Sequence, residues 1–432
     1  MSSGNEEYCQ MWEKLGLNLE AHDQLLRALP LIYQEVYLDQ ENRPEAMEYF
    51  DFVVMEIHGL RIKELQDHKA NGGKVVGSFC VYVPEEIVLA ADGVCVGLCA
   101  GAEIGMAEAE QVLPRNLCPL IKSAMGFKLS KICPYFESCD MIVGETTCDG
   151  KKKTWEILDE IVPTYVMDLP QKKSQKGKEL WTSEVSQFKA EVEKLTGKEI
   201  TVSSLSQAIK LVNEKRKVLQ RMSGLRQVNP SPISGRDALL VEQIAFYDDI
   251  PRFVEKVSAL CDELEERVAK GIGVADGSQA RILISGTPMV IPNWKIPYII
   301  ETSGATVVCE EACTGQRYFR NLVDETGATL EDQLEYLSER YLKTDCACFT
   351  PNKERIEHVV EYAKDYDVDG VVCCTLQFCD PYAVETQKIK KALEKEGIPV
   401  LEIETDYGQE DTGQIKTRVE AFVEMLPSKQ VV

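Results

Sequence analysis

PRNLCPLIKSAMGFKLSKICPYFESCDMIVGETTCDGKKK, residues 114–153, holds four of the sixteen cysteines of this 432-residue chain. Cys118 and Cys133 are each followed directly by proline, which fixes φ beside the thiol and suits the first turn of a helix. Such helix starts offer backbone N–H groups to an anion. Met141-Ile142-Val143-Gly144 is a short apolar run, and Cys148 lies between it and a glycine with three lysines. That order reads as a buried strand turning into a helix. In an open parallel sheet the strand end of this kind is where ligands bind.

Working outward, residues 72–170 repeat the same rhythm. Gly72-Gly73 breaks a helical pattern, Val75–Val83 reads as a buried strand, and Pro84-Glu85-Glu86 opens a helix with negative charge in its first turn. Gly93–Leu98 is a second strand delivering Cys99, and Thr164–Met167 is another. Residues 1–71 place apolar side chains at helical spacing (Leu25, Leu29, Tyr33, Val36; Phe52, Val53, Ile57, Leu60) and predict a helical extension. Residues 171–275 are long helical patterns, with Ser203-Ser204 and Ser234 as caps. Residues 276–432 return to strand-then-helix, with strands at Arg281–Gly286, Ala305–Cys309, Gly370–Cys374 and Pro399–Ile403. The expected architecture is α/β: two Rossmann- or flavodoxin-like parallel-sheet domains joined by a helical segment, behind a helical N-terminal extension.

The formal charge of −23 opposes binding to nucleic acid and anionic lipid, and favours a basic docking partner or plain solubility. No charged-then-apolar leader is visible, and the apolar run Ile87–Ala102 is too mixed to span a bilayer, so a cytoplasmic, reducing setting is expected. Cysteine there is either core or metal ligand. The chain lacks the tight C-x2-C knuckles of zinc sites, and its four histidines (His22, His58, His68, His358) lie away from the cysteine-rich stretches. No phosphate-cradling G-x-x-x-x-G-K-[ST] loop occurs, and Gly271-x-Gly273 lacks the third glycine of a dinucleotide fingerprint. Scattered soft thiols fit an iron–sulfur cluster held between the two α/β units; a set of ordinary buried cysteines fits as well.

NLCPLIKS (Asn116–Ser123), TTCDGKKK (Thr146–Lys153), VDGVV (Val368–Val372), the Cys379–Glu385 run and IPVLEIETDY (Ile398–Tyr407) resemble the 2-hydroxyacyl-CoA dehydratase and benzoyl-CoA reductase superfamily, over about Lys74 to Leu426. The resemblance implies a [4Fe–4S] cluster on three cysteines, matched here by Cys118, Cys148 and Cys379. CPYF (Cys133–Phe136), EACTG (Glu311–Gly315) and CACFTPN (Cys346–Asn352) make the chain similar to the double-cubane branch of that superfamily, whose [8Fe–9S] centre has six cysteine ligands. The second three would come from Cys133, Cys313, Cys346 and Cys348, with Cys99 behind them. Cys9, Cys80, Cys95, Cys139, Cys261, Cys309, Cys373 and Cys374 are left to core or surface. The resemblance further implies a homodimer, a small-molecule substrate, and low-potential electrons from a separate ATP-hydrolysing [4Fe–4S] activator protein. Ser123, Tyr135, Glu145, Thr146 and Glu310 are candidate proton donors; capping and hydrogen bonds to sulfur are the plainer reading of each. Two other functions stay open: a dehydratase subunit with one [4Fe–4S] cluster, and a non-catalytic electron-transfer protein, which would lack a polar cavity at its cluster.

Overall fold

In the computed structural model, which describes residues 3–426, the strands form two separate four-stranded sheets. The first contains β1 (Lys74–Ser78), β2 (Gly93–Gly97), β3 (Met141–Glu145) and β4 (Thr164–Met167), in the order β2-β1-β3-β4. The second contains β5 (Ala280–Gly286), β6 (Ala305–Glu311), β7 (Gly370–Leu376) and β8 (Val400–Thr405), in the order β6-β5-β7-β8. Every pairing is parallel. Each sheet therefore reverses its winding beside its first strand, between β1 and β3 and between β5 and β7, and a crevice opens at such a point.

Parallel sheets covered on both faces need continuous apolar strands. β3, β6 and β7 are buried at every residue, and these are runs the sequence marks as strands. The first strand is shorter than expected. It leaves the sheet at Ser78, where its partners Gly97 and Val143 also end their pairing, and the Val83 N–H turns back to the Cys80 carbonyl. Pro84, without an N–H to give a ladder, then starts the helix Glu85–Ala90. The result is that Cys80 sits in a turn at the sheet edge and not in a strand.

The helical segment follows its caps. Ser174 caps Gln175–Thr196, and Ser234 caps Gly235–Ile244 as expected. Thr201, slightly earlier than Ser203-Ser204, caps Val202–Leu225 through a box closed by Ser204. Among the described residues no helix is long and apolar enough to cross a membrane.

The N-terminal helices (Ser3–Leu15, Leu19–Tyr33, Met47–Met55, Leu60–Ala70) are tied down by two contacts. Arg43 bridges Asp51 at 2.8 Å and the buried Asp237 at 2.9 Å, and Tyr33 and Tyr37 pack edge-on against Trp294. Deeper in, the rings of His22 and His58 meet at 2.9 Å between Nε2 and Nδ1, and Trp12 donates to the His58 carbonyl at 2.7 Å. Burial depresses His22 from 6.5 to about 4 and puts His58 well below its usual value. A depressed histidine contributes stability that is whole above 6.5 and is lost as pH falls towards 4. Wild type is therefore expected to lose roughly 2 kcal/mol more than His22→Gln between pH 7 and pH 4, after allowance for partial screening, in urea unfolding followed at both pH values.

Candidate functional site

The carboxyl ends of β1, β2 and β3 and of β5, β6 and β7 open onto one cavity of about 510 Å³. Nine cysteines line it: Cys80, Cys95, Cys99, Cys118, Cys148, Cys313, Cys346, Cys348 and Cys379. None of the four histidines does.

Three of the thiols stand at the mouth, beside the exposed Asn116, Asp149, Phe378 and Asp380. Cys118, Cys148 and Cys379 are the N-cap residues of Pro119–Leu129, Asp149–Asp159 and Asp380–Lys395, so three helix N-termini aim at one place. Cys379 donates to Cys118 and draws its thiol down against the push of burial, and the N–H groups of Leu120 and Ile121 act in the same direction. The Cys379 thiol is correspondingly raised. Phe378, half exposed, holds a left-handed backbone (φ 61°) that turns Cys379 inward from the end of β7.

The other, floor group is Cys80, Cys313, Cys346 and Cys348, backed by Arg317 and Tyr382. Cys80 donates to Cys313, and Cys348 to Cys346, whose thiol falls to about 5 through that bond and the positive charge of Arg317. The Arg317 guanidinium donates to the Cys313 sulfur at 3.4 Å, and the Tyr382 hydroxyl, itself a partner of Arg317, donates to the Cys346 sulfur at 3.6 Å. Behind them Glu311 accepts from Arg317 at 2.6 Å and from Arg355 at 2.9 Å, and Arg355 continues to Glu385 at 2.5 Å. Burial pushes the Glu311 carboxyl up, but the two guanidinium groups overcome it and hold it at about 2. Lys151 reaches the cavity between the two groups, paired with the buried Glu145.

Cys118, Cys148, Cys379, Cys313, Cys346 and Cys348 thus meet around one space, and Cys99 joins them, donating to the Phe79 carbonyl at 3.0 Å. Cys133 does not line it. Its thiol lies under the N–H groups of Phe136 and Tyr135, beside Cys139, and burial pushes it up to about 11. Three of the four candidates for the second set, Cys313, Cys346 and Cys348, therefore line the cavity, and Cys80, left to core or surface by the sequence, lines it as well. Its signal is hidden inside an apolar run that reads as unbroken strand. Among the described residues no three His, Cys, Asp or Glu side chains converge tightly enough for a single metal ion, and a multi-iron cluster, whose thiolates bind different irons, does not need that convergence.

The candidate proton donors divide. Glu145 borders the thiols, with Cys80 as a hydrogen-bond partner. Ser123 spends its hydroxyl on the Ala102 carbonyl at 2.7 Å, and Thr146 bonds Asp168 at 2.9 Å at the far edge of the sheet. Tyr135 packs against Tyr247 and His58 outside the cavity. Glu310 points to the opposite face of β6 from Glu311 and pairs with the buried Arg226 at 2.6 and 2.7 Å.

The family model "2-hydroxyglutaryl-CoA dehydratase, D-component" matches residues 80–426. The Escherichia coli (strain K12) protein named "Putative dehydratase subunit YjiM" is 40% identical over 365 residues, 84% of this chain and 94% of that one. The Clostridium sporogenes (R)-phenyllactyl-CoA dehydratase beta subunit is 28% identical over 82% of this chain and 92% of its own. The beta subunit of the Acidaminococcus fermentans (R)-2-hydroxyglutaryl-CoA dehydratase is 26% identical, over 84% of this chain and 95% of its own.

Removing Glu310 leaves the buried Arg226 with Glu242, at 3.9 Å, as its remaining ion-pair partner, so Glu310→Ala is expected to cost about 3 kcal/mol, the low end for breaking a buried pair, in urea unfolding. The cavity thiols of the folded variant should still titrate as in wild type, since this pair lies outside the cavity, whereas the buried Cys309 beside it is expected to shift.

Proposed function

Because the chain belongs to the 2-hydroxyglutaryl-CoA dehydratase D-component family, we propose that it is the cluster-bearing reductase component of an ATP-driven electron-transfer system. The observation that carries this reading is the pair of thiol groups facing one cavity, each drawn from both sheets or from the loops beside them. The donors suit an iron–sulfur cluster: they are soft, half-buried to buried, and set at helix N-termini or beside a guanidinium, where negative charge is stabilised. Cys118, Cys148 and Cys379 would hold one half of an [8Fe–9S] double cubane, and Cys80, Cys313 and either Cys346 or Cys348 the other. When bound, such a centre supplies low-potential electrons to a small substrate that is hard to reduce.

The chain's own residues prepare the space for that. The apolar Val81, Val83, Leu120, Ile121 and Val290 limit water, and Tyr247 and Thr314 leave polar groups at which a small molecule can be held, whereas Glu85 and Thr287 are engaged by Lys215 and Tyr318 and by the backbone at the end of β7. Lys151 and Glu145 place a proton-bearing ammonium and a carboxylate between the two thiol groups. Nothing in the sequence cradles a nucleotide phosphate, so the energy for an uphill transfer is supplied by a docked partner, an ATP-hydrolysing [4Fe–4S] activator, steered to an acidic surface. A homodimer completes the proposal, with the N-terminal helices near the dimer contact.

A second reading is favoured by the 40% identity to the E. coli protein: a dehydratase subunit with a single [4Fe–4S] cluster on Cys118, Cys148 and Cys379. Iron and acid-labile sulfide in anaerobically purified protein separate the two. About eight irons per chain is expected, and about four would select the dehydratase subunit. Cys80→Ser is expected to lose a large part of that iron, because a hard hydroxyl replaces a soft thiolate, and Cys133→Ser to keep it. Full iron in Cys80→Ser would remove Cys80 from the ligand set.

Turnover is a separate check. Reduction of a small substrate is expected only with activator, ATP and magnesium together, and to slow as salt screens the docking charges. An equal rate with a chemical reductant alone would exclude the partner.

A further inference from the structure

Resting on the two-group cluster reading above, we propose that Arg317 and Tyr382 are positioning residues that make the floor group the more readily reduced half, so that electrons collect there. The two groups are built from different partners. At the mouth, Cys118, Cys148 and Cys379 have backbone N–H groups and helix termini beside them, which carry partial charge, and no guanidinium; the ammonium of Lys151, paired with Glu145, acts on sulfurs of both groups and so does not distinguish them. On the floor a full guanidinium charge touches a sulfur: Arg317 is buried and donates to Cys313 at 3.4 Å, while Tyr382 accepts from Arg317 and donates to Cys346 at 3.6 Å.

Arg317 cannot lose its proton at accessible pH, so its charge is fixed. The carboxylates that compensate it sit on the far side, Glu311 behind Arg317 and Glu385 behind Arg355. The network is close to neutral as a whole and presents its positive end to the sulfurs. A one-electron reduction of the floor group, with an iron–sulfur donor protein giving up that electron, adds negative charge next to this end. In a water-poor site such a charge is strongly stabilised, and hydrogen bonds to the sulfurs act in the same sense.

The test is a potentiometric titration of the anaerobic, iron-loaded, full-length protein, followed by electron paramagnetic resonance, in wild type, Arg317→Met, Arg317→Lys and Tyr382→Phe. Arg317→Met is expected to make the first couple at least tenfold harder to reduce, a fall of about 59 mV for one electron. Arg317→Lys, which keeps the charge, should recover most of that fall, and Tyr382→Phe should move the couple in the same direction by less. Iron content is measured on every sample. Wild type with about four irons would overturn the two-group reading itself, whereas about eight irons with unmoved potentials in Arg317→Met and Tyr382→Phe would overturn only this inference. Should Arg317→Met fail to load iron, Tyr382→Phe decides alone: a fall supports the assignment and an unchanged potential removes it.

Discussion

Glu311 is the point from which the second half of the cavity hangs. It ends β6, accepts from Ser285 at the end of β5, and binds both Arg317 and Arg355, the latter reaching the helix that begins after Cys379. Two cations around one buried carboxylate, with a second carboxylate beyond, satisfy every charge without water, the condition under which a buried ionic group can be tolerated at all. The geometry this imposes is local and strict. It draws the residues after β5, β6 and β7 into one wall, so that Thr287, Cys313 and Cys379 face the same space.

How much of this is legible in the sequence follows from what each signal measures. Strands buried on both faces are continuous apolar runs, and β3, β6 and β7 are visible as such, while the edge strands β4 and β8, partly exposed and mixed in composition, are placed by the strand-then-helix rhythm; helices are visible by their period and caps. Cysteines with a proline directly after them or a glycine two residues on, such as Cys118 and Cys148, announce a chain leaving regular structure. Cys133 carries the same local mark and also caps a helix, yet that helix, Pro134–Ser138, starts under the first sheet and turns its cap away from the cavity. Local chemistry reports a helix start and not its direction.

The carboxylates show the limit in another form. Glu310 and Glu311 are neighbours on one strand, and successive side chains leave a strand on opposite faces. One meets Arg226 in the core and the other meets Arg317 at the thiols, and only the three-dimensional parity of β6 says which. Arg317, Arg355 and Tyr382 are invisible for a related reason. Nothing about an isolated arginine in a helical stretch tells that it will be buried against a sulfur, because its partners arrive from segments up to sixty-five positions away.

The thiols that share the cavity run from Cys80 to Cys379, across nearly the whole chain and both sheets. Each group spans both sheets: the mouth group runs from Cys118 to Cys379, and the floor group from Cys80 to Cys313, Cys346 and Cys348 in segments that follow β6. A nascent chain that has made only the first sheet therefore holds neither group complete. On the cluster proposed above, loading would follow folding: both sheets close first, the thiols come together, and metal would enter a preformed cavity. Until then the folded chain carries several neighbouring thiols that an oxidant could join.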